Sequence, residues 1–336
     1  DVNLSEFAGL SIDDLASINR IIITACGTAA YAGEVAKYAI EELARIPVSV
    51  ELAHELRYRN PVIDENTLVV AISQSGETMD TLMAIRYASE RGAKILSICN
   101  TQGATLARES DATIYTHAGP EVAVASTKAF SAQITAGYLL ALFLAKALGK
   151  TGKLSDIGKE LLTLPRKVKK TLEMTGDVQT LANELKTVES VLFLGRNVGF
   201  PIAMEGALKL KELSYIHAEG FAAGELKHGP IALVEKGQVV IVIVPSPLAE
   251  ESLHAKVLAN IQEINARGAE VIAIAEEGDS EVADYAKKVF YTPKTLPLLS
   301  PVLSVVPLHI FSMELAKAKG LDVDQPRNLA KSVTVE

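Results

Sequence analysis

The chain of 336 residues is 49% hydrophobic and carries a formal charge of -8. Such a length can bury the cores of two domains, and so acidic a balance argues against a nucleic-acid partner and gives no attraction to a membrane surface. No apolar run reads as a membrane span, the first twenty residues hold no signal-peptide core, and a start at Asp1 without Met is expected of a processed chain or a fragment.

Residues 1–19 read as a mixed, weakly helical lead-in. Residues 20–26 (RIIITAC) form an unbroken apolar strand, Gly27-Thr28 turns the chain, and a helix is expected over 30–45. Pro47 opens a short strand at 48–52. The next strand, 67–73, runs into Ser73-Gln74-Ser75-Gly76-Glu77-Thr78 ahead of a helix over 80–91. Further strands are expected at 94–99 and 112–115, and a long apolar helix at 126–148 is broken by Gly149-Lys150-Thr151-Gly152. The strands are apolar throughout instead of alternating, the pattern of a parallel sheet covered on both faces. Cys26 and Cys99 end two of them and read as reduced core residues of a cytosolic protein. Residues 151–187 are more polar and helical, and the run Arg166-Lys167-Val168-Lys169-Lys170 reads as the solvated face of a linker.

The pattern then returns. The strand at 190–195 (SVLFLG) and a helix at 201–216 match the first strand and helix. Strands at 238–245, 270–275 and 288–292 match those at 67–73, 94–99 and 112–116. The closing helices share LAKALG at 144–149 and LAKAKG at 315–320. Elements recurring in order and spacing indicate an internal duplication. The expected fold is α/β: two tandem doubly wound parallel-sheet domains, 1–150 and 188–320, a helical linker at 151–187 and a tail at 321–336. Pro326, Leu329, Ala330, Val333 and a lone Lys331 suit a tail packed over a pocket.

Strand, tight polar turn, helix is how an α/β protein builds an anion site, because N–H groups at a helix start are unpaired and point outward. In the turn at 73–78, Ser73, Ser75 and Thr78 offer hydroxyls and Gly76 admits a close approach or a positive φ. An ordinary helix cap is the bland alternative. The density of donors after a buried strand favours phosphate. At the matching place the second half has Pro245-Ser246-Pro247, where two prolines remove backbone donors, so one phosphate site is expected, in the first half. Ligands of parallel α/β folds bind at the carboxyl ends of strands, where strand order reverses. That adds Gly27-Thr28-Ala29, the loop after Cys99, and Val124 to Lys128 as candidate lips.

On the helix at 201–216, Glu205, Lys209 and Glu212 fall on one face and Lys211 elsewhere. An exposed salt-bridge stripe is the default for that spacing, yet a helix so apolar is expected to be buried, and buried charges cluster in active sites. Beyond it, residues 222–230 (AAGELKHGP) set His228 between bends. No Cys/His spacing proposes a metal, and no cofactor is expected. A phosphate turn, carboxylate, lysine and histidine suit a proton shift between ketose and aldose sugar phosphates, with Schiff-base activation by a lysine. The residues leave Glu205 and Glu212 as rivals for the proton transfer, with Glu212 nearer the loop that leads to His228.

ACGT at 25–28, SQSGET at 73–78, VASTK at 124–128, EGALKLKE at 205–212, AAGELKHGP at 222–230 and DQPRNLAKSVTVE at 324–336 together resemble the isomerase (SIS) half of glucosamine-6-phosphate synthases, over residues 21–336. The resemblance implies that Ser73, Gln74, Ser75 and Thr78 bind the sugar phosphate and that Thr28, Val124 and Ser126 line the sugar. By the same resemblance Glu212 transfers the proton, Lys331 forms the Schiff base, Lys209 is an accessory lysine, and His228 opens the sugar ring from the neighbouring subunit of a homodimer. Ala29 departs from the serine of many members, which touches affinity more than chemistry. The implied substrates and products are fructose 6-phosphate, glucose 6-phosphate and, with ammonia, glucosamine 6-phosphate, in a cytoplasmic enzyme. The glutaminase half, with its N-terminal Cys, is not in this sequence. The rival functions are a non-catalytic sugar-phosphate sensor, which needs the turn but not Glu212, Lys331 or His228, and a simple phosphosugar isomerase. A dinucleotide site is disfavoured because Cys26-Gly27-Thr28 is no G-x-G-x-x-G fingerprint.

Overall fold

A computed structural model describes residues 9–250 and 252–335. The opening residues of the lead-in and the last residue of the tail lie outside them. The chain divides into two compact units, residues 1–158 with 330–336, and residues 159–329.

The first unit runs α1 (Ile12–Ser17), β1 (Arg20–Ala25), α2 (Thr28–Leu43), β2 (Val48–Leu52), α3 (Ala53–Leu56), β3 (Thr67–Ser73), α4 (Met79–Ser89), β4 (Lys94–Cys99), α5 (Thr105–Arg108), β5 (Ala112–Tyr115) and α6 (Lys128–Ala147). The lead-in helix α1 is closed by a capping box, in which Ser11 and Asp14 satisfy each other's backbone N–H. The sheet has the order β2-β1-β3-β4-β5, all parallel. Strand order therefore reverses between β1 and β3, and the loops after these two strands flank the crevice. Every residue of β3 is buried, which is why its sequence does not alternate. Ile22, Val69, Ala71 and Ile95 share a cluster with Leu82, Ile85 and Ala88 of α4. The alternate residues face α2, whose Gly33 leaves only 2.7 Å between an added Cβ and Ile23. Each buried Ile or Leu contributes about 1.5–3 kcal/mol over leaving it exposed.

The boundary between units falls in α7 (Leu154–Leu161), which is followed by α8 (Leu164–Leu172) and α9 (Thr175–Glu184). The second unit continues with β6 (Ser190–Gly195), α10 (Gly199–Ser214), β7 (His217–Ala222), β8 (Val239–Ile243), α11 (Leu253–Asn265), β9 (Glu270–Glu276), β10 (Lys288–Thr292) and α12 (Ser300–Ala318). Its parallel order, β7-β6-β8-β9-β10, repeats the first sheet strand for strand. Val257, Ile261 and Ile264 of α11 cover one face. On the other, α10 and α12 meet at Gly206, where a Cβ would come within 2.8 Å of Leu308 and 2.9 Å of Phe193.

Several expectations change. The stretch expected as a linker is three helices, and α8 and α9 pack on α12, so their apolar stripes belong to the second unit's core. Arg166, Lys169 and Lys170 are exposed, as a solvated face requires. The strand β7 (HAEGFA) was not expected: at a sheet edge it is only partly buried and carries no apolar run. Two helical stretches, Lys128–Ala147 and Pro297–Ala318, are long and apolar enough to cross a membrane, contrary to the reading of the sequence. They are 72% and 83% buried inside the fold, so sheets and helices account for their apolar character. Cys99 is core, whereas Cys26 lies past the end of β1 and is only partly buried.

Candidate functional site

In the first unit the turn after β3 is held by its own side chains. Ser73 Oγ accepts the Gly76 N–H at 3.0 Å and lies 3.2 Å from Thr78 Oγ1. Ser75 Oγ accepts the Glu77 N–H at 3.2 Å. Gly76 has φ +69°, and a Cβ there would stand 2.5 Å from Ala104 Cβ and 2.7 Å from Cys99 Sγ, so both backbone conformation and space exclude a side chain. Glu77 turns away from the turn and accepts the Thr105 N–H at 2.8 Å, which holds its carboxyl below the usual range.

The tail reaches this turn. Ser332 Oγ is 3.0 Å from Ser75 Oγ, and the Val333 carbonyl accepts the N–H of Met79, the first residue of α4, at 3.2 Å. One of the free donors of that helix start is thus satisfied by the tail. Of the tail's apolar residues Pro326 is buried, but the anchoring expected of Leu329, Ala330 and Val333 is not found. Leu329 and Val333 are 44% and 52% exposed, and hydrogen bonds do the holding instead.

Lys331 is the tail's charged residue. Its Nζ donates to Glu121 Oε2 at 2.9 Å, the Ala123 carbonyl at 2.9 Å and the Val124 carbonyl at 3.4 Å. Glu121 also accepts from Thr127 N at 2.8 Å, Thr127 Oγ1 at 3.3 Å and Ser126 Oγ at 3.2 Å. Hence Ser126 and Thr127 give their hydroxyls to Glu121, and neither caps α6. The helix starts at Lys128, and the Glu121 carboxylate lies at its positive end. Burial raises the Glu121 carboxyl, but the Thr127 N–H and the Lys331 ammonium outweigh it and hold the group below its ordinary value. Glu121 escapes a reading of the sequence because it lies outside any periodic element. Lys331, Glu121, Gln74, Asn100 and His117 line an open cavity of about 550 Å³. Thr28 begins α2 at the neighbouring strand end.

At the matching place in the second unit the turn is closed. Ser246 is buried, and its hydroxyl donates to Glu276 Oε1 at 3.2 Å while accepting the Leu248 N–H at 3.1 Å. The cavity there is about 30 Å³, the share of one water molecule, and its carboxylate opposes an anion.

The second unit holds a different constellation. Lys209 is 1% exposed and lies 2.5 Å from Glu212 Oε2 and 3.5 Å from Glu205 Oε1. His309 Nε2 of α12 is 3.4 Å from the same Glu205 oxygen. The Glu-Lys-Glu stripe is therefore interior at Glu205 and partly open at Glu212, whose side chain is 19% exposed. His309 had no sequence signal, since it belongs to an uninterrupted apolar helix. His228 ends a 3-10 turn over Glu225–His228 and is exposed.

The SIS domain model matches residues 14–143 and 184–317. The chain is 63% identical over 97% of its length to the glutamine–fructose-6-phosphate aminotransferase [isomerizing] of Corynebacterium diphtheriae, of which it covers 53%. It spans about half the length of the curated relatives it matches. Among solved structures, the C-terminal domain of glucosamine-fructose-6-phosphate aminotransferase from Francisella tularensis is similar at TM-score 0.89 and 38% identity, with 97% of this chain and 94% of that one covered. A glucosamine-6-phosphate deaminase from Thermotoga maritima is similar at TM-score 0.73 and 25% identity, covering 98% and 96%.

Proposed function

Since the chain belongs to the SIS-domain family, alongside the C-terminal domains of glutamine–fructose-6-phosphate aminotransferases, we propose that it binds fructose 6-phosphate and converts it, with ammonia, to glucosamine 6-phosphate. The observation that carries this reading is the tail of the first unit. It sets the Lys331 ammonium on the wall of the cavity that Gln74 lines, one residue from the Ser332–Ser75 contact. A carbonyl-reactive amine and a donor-rich turn in one unit suit an open-chain ketose phosphate.

In this reading Ser75, Thr78, Gln74 and the N–H groups of the turn take the phosphate, Ser73 shapes the turn from below, and Thr28, Val124 and Ser126 face the sugar. Lys331 passes a proton to Glu121 and attacks the carbonyl carbon, and the carbonyl oxygen leaves as water once protonated. The resulting iminium acidifies the neighbouring C–H. Glu212 moves the proton between the adjacent carbons, with Lys209 tuning its charge, and His228 serves ring opening from a second copy in a cytoplasmic homodimer. Ammonia from a glutaminase domain of the full-length protein displaces the lysine nitrogen from the iminium carbon, which frees Lys331 and leaves the new nitrogen as the amino group of the product. Borohydride added with fructose 6-phosphate should fix the sugar on Lys331, read by peptide mass. Label on Lys209 would reverse the two lysines, and no label on any lysine would overturn the Schiff-base reading.

A further inference from the structure

Cys26, His54 and Asp80 come from three segments of the first unit: the residue after β1, the second residue of α3 and the second residue of α4. One ligand atom from each lies within 4.8 Å of the others, and Cys26 Sγ is 4.0 Å from His54 Nδ1. Zinc with bonds of about 2.3 Å to sulfur and 2.0 Å to nitrogen separates two tetrahedral ligand atoms by roughly 3.5 Å, so modest side-chain rotations close the set.

The surroundings fit ligation. Burial and the neighbouring Asp80 carboxylate push the Cys26 thiol up, and the Thr81 hydroxyl and the backbone N–H groups of Ala53 and His54 only oppose that rise. Thr81, beside the cluster on α4, is 1% exposed, and its hydroxyl has no hydrogen-bond partner among the described residues. The thiolate is the form that binds metal, so a cation at this site has to displace the thiol proton and offset the Asp80 charge, and the three converging ligand atoms are what favour it. His54 presents Nδ1 to the sulfur, and its Nε2 stands 3.9 Å from Glu55 Oε1. Thiolate, imidazole and carboxylate together form a borderline-soft set that favours zinc-class ions over magnesium or calcium.

We propose that Cys26, His54 and Asp80 form a three-ligand site for a divalent transition-metal ion of the zinc class, with its fourth position open to solvent beside the half-exposed His54. Binding replaces the Cys26 S–H bond by a sulfur–metal bond and releases the proton to water, with no change of oxidation state. Asp80 lies in the first turn of α4, directly after the 73–78 turn, so the bound charge sits next to the sugar-phosphate loop. The inference does not depend on the chemistry proposed for that loop.

The test uses the 336-residue chain, stripped of metal by a chelator and titrated with Co²⁺. One equivalent should bind with a near-ultraviolet thiolate-to-metal band and a tetrahedral visible spectrum, both displaced by Zn²⁺. Cys26→Ser should abolish the thiolate band, and His54→Ser and Asp80→Asn should each weaken binding about tenfold or more. His54→Ser alters an exposed side chain and so remains informative should Cys26→Ser fail to fold. The proposal is overturned by the absence of a thiolate band, by a band that survives Cys26→Ser, or by a His54→Ser chain that binds within about twofold of the parent.

Discussion

At the scale of single residues, Glu121 joins the helix start of α6 to the tail. Its carboxylate accepts from Thr127, Ser126 and Lys331, so its loss removes a cap and leaves an ammonium without its anion. Glu121→Gln should lower stability by about 2 kcal/mol near pH 7, since the amide keeps one acceptor but turns an NH₂ toward Lys331. The folded-state value of this carboxyl is depressed from 4.5. Its contribution is therefore present above the unfolded value and is lost as pH falls through the lower folded value. Denaturant midpoints of parent and variant should differ at neutral pH and converge on the acid side of pH 4.5. A gap that stays constant down the acid limb would mean that ionised Glu121 is not its source.

At the scale of elements, α10 carries a buried cation between two carboxylates, one interior and one partly open. Lys209→Met keeps the packing volume but takes the ammonium away from Glu205, which is fully buried, and should cost roughly 3–5 kcal/mol in unfolding at unchanged m-value. Adding Glu205→Gln should restore part of that loss, because the residues are coupled. Equal destabilisation in the single and double variants would show that the ion pair is not the cause. Glu212 is the partly open member, so Glu212→Gln should fold near normally while stopping exchange of the carbon-1 proton of fructose 6-phosphate with deuterated water. Exchange that survives Glu212→Gln and fails in Glu205→Gln would move the proton transfer to Glu205.

At the scale of the whole molecule, duplication produced two sheets of one topology whose strand-end cavities differ, about 550 Å³ in the first unit against 30 Å³ at the matching place in the second. Calorimetric titration with fructose 6-phosphate should accordingly give one site per chain, weakened by Ser75→Ala and indifferent to Ser246→Ala. Two sites per chain, or sensitivity to Ser246, would mean that the second unit binds as well. The proposed homodimer is tested by mixing His228→Ala chains with Glu212→Gln chains. Partial recovery of isomerisation is expected if sites are completed between copies, and no recovery argues for self-contained ones.

The sequence by itself determined the sheets. Residues 48–52, 67–73, 94–99, 112–115, 190–195 and 288–292 are strands with the expected bounds; near-continuous burial writes 67–73, 94–99 and 190–195 into their composition, and the repeat and the flanking turns mark the partly buried others. The repeat in element order dictated the shared topology. Turn chemistry was also local: Gly76 and the hydroxyls of 73–78 are legible because a tight turn constrains its own residues. The edge strand β7 was not legible, since partial burial leaves no apolar run. Helix ends shifted where a distant group does the capping, as Glu121 does for α6. Tertiary structure alone decided which charges meet: Lys331 with Glu121, 210 residues apart, His309 with Glu205, and Cys26 with His54 and Asp80. Side-chain periodicity reports which face an element buries, whereas such pairings depend on how separate elements are brought to one strand end, and no local spacing encodes that.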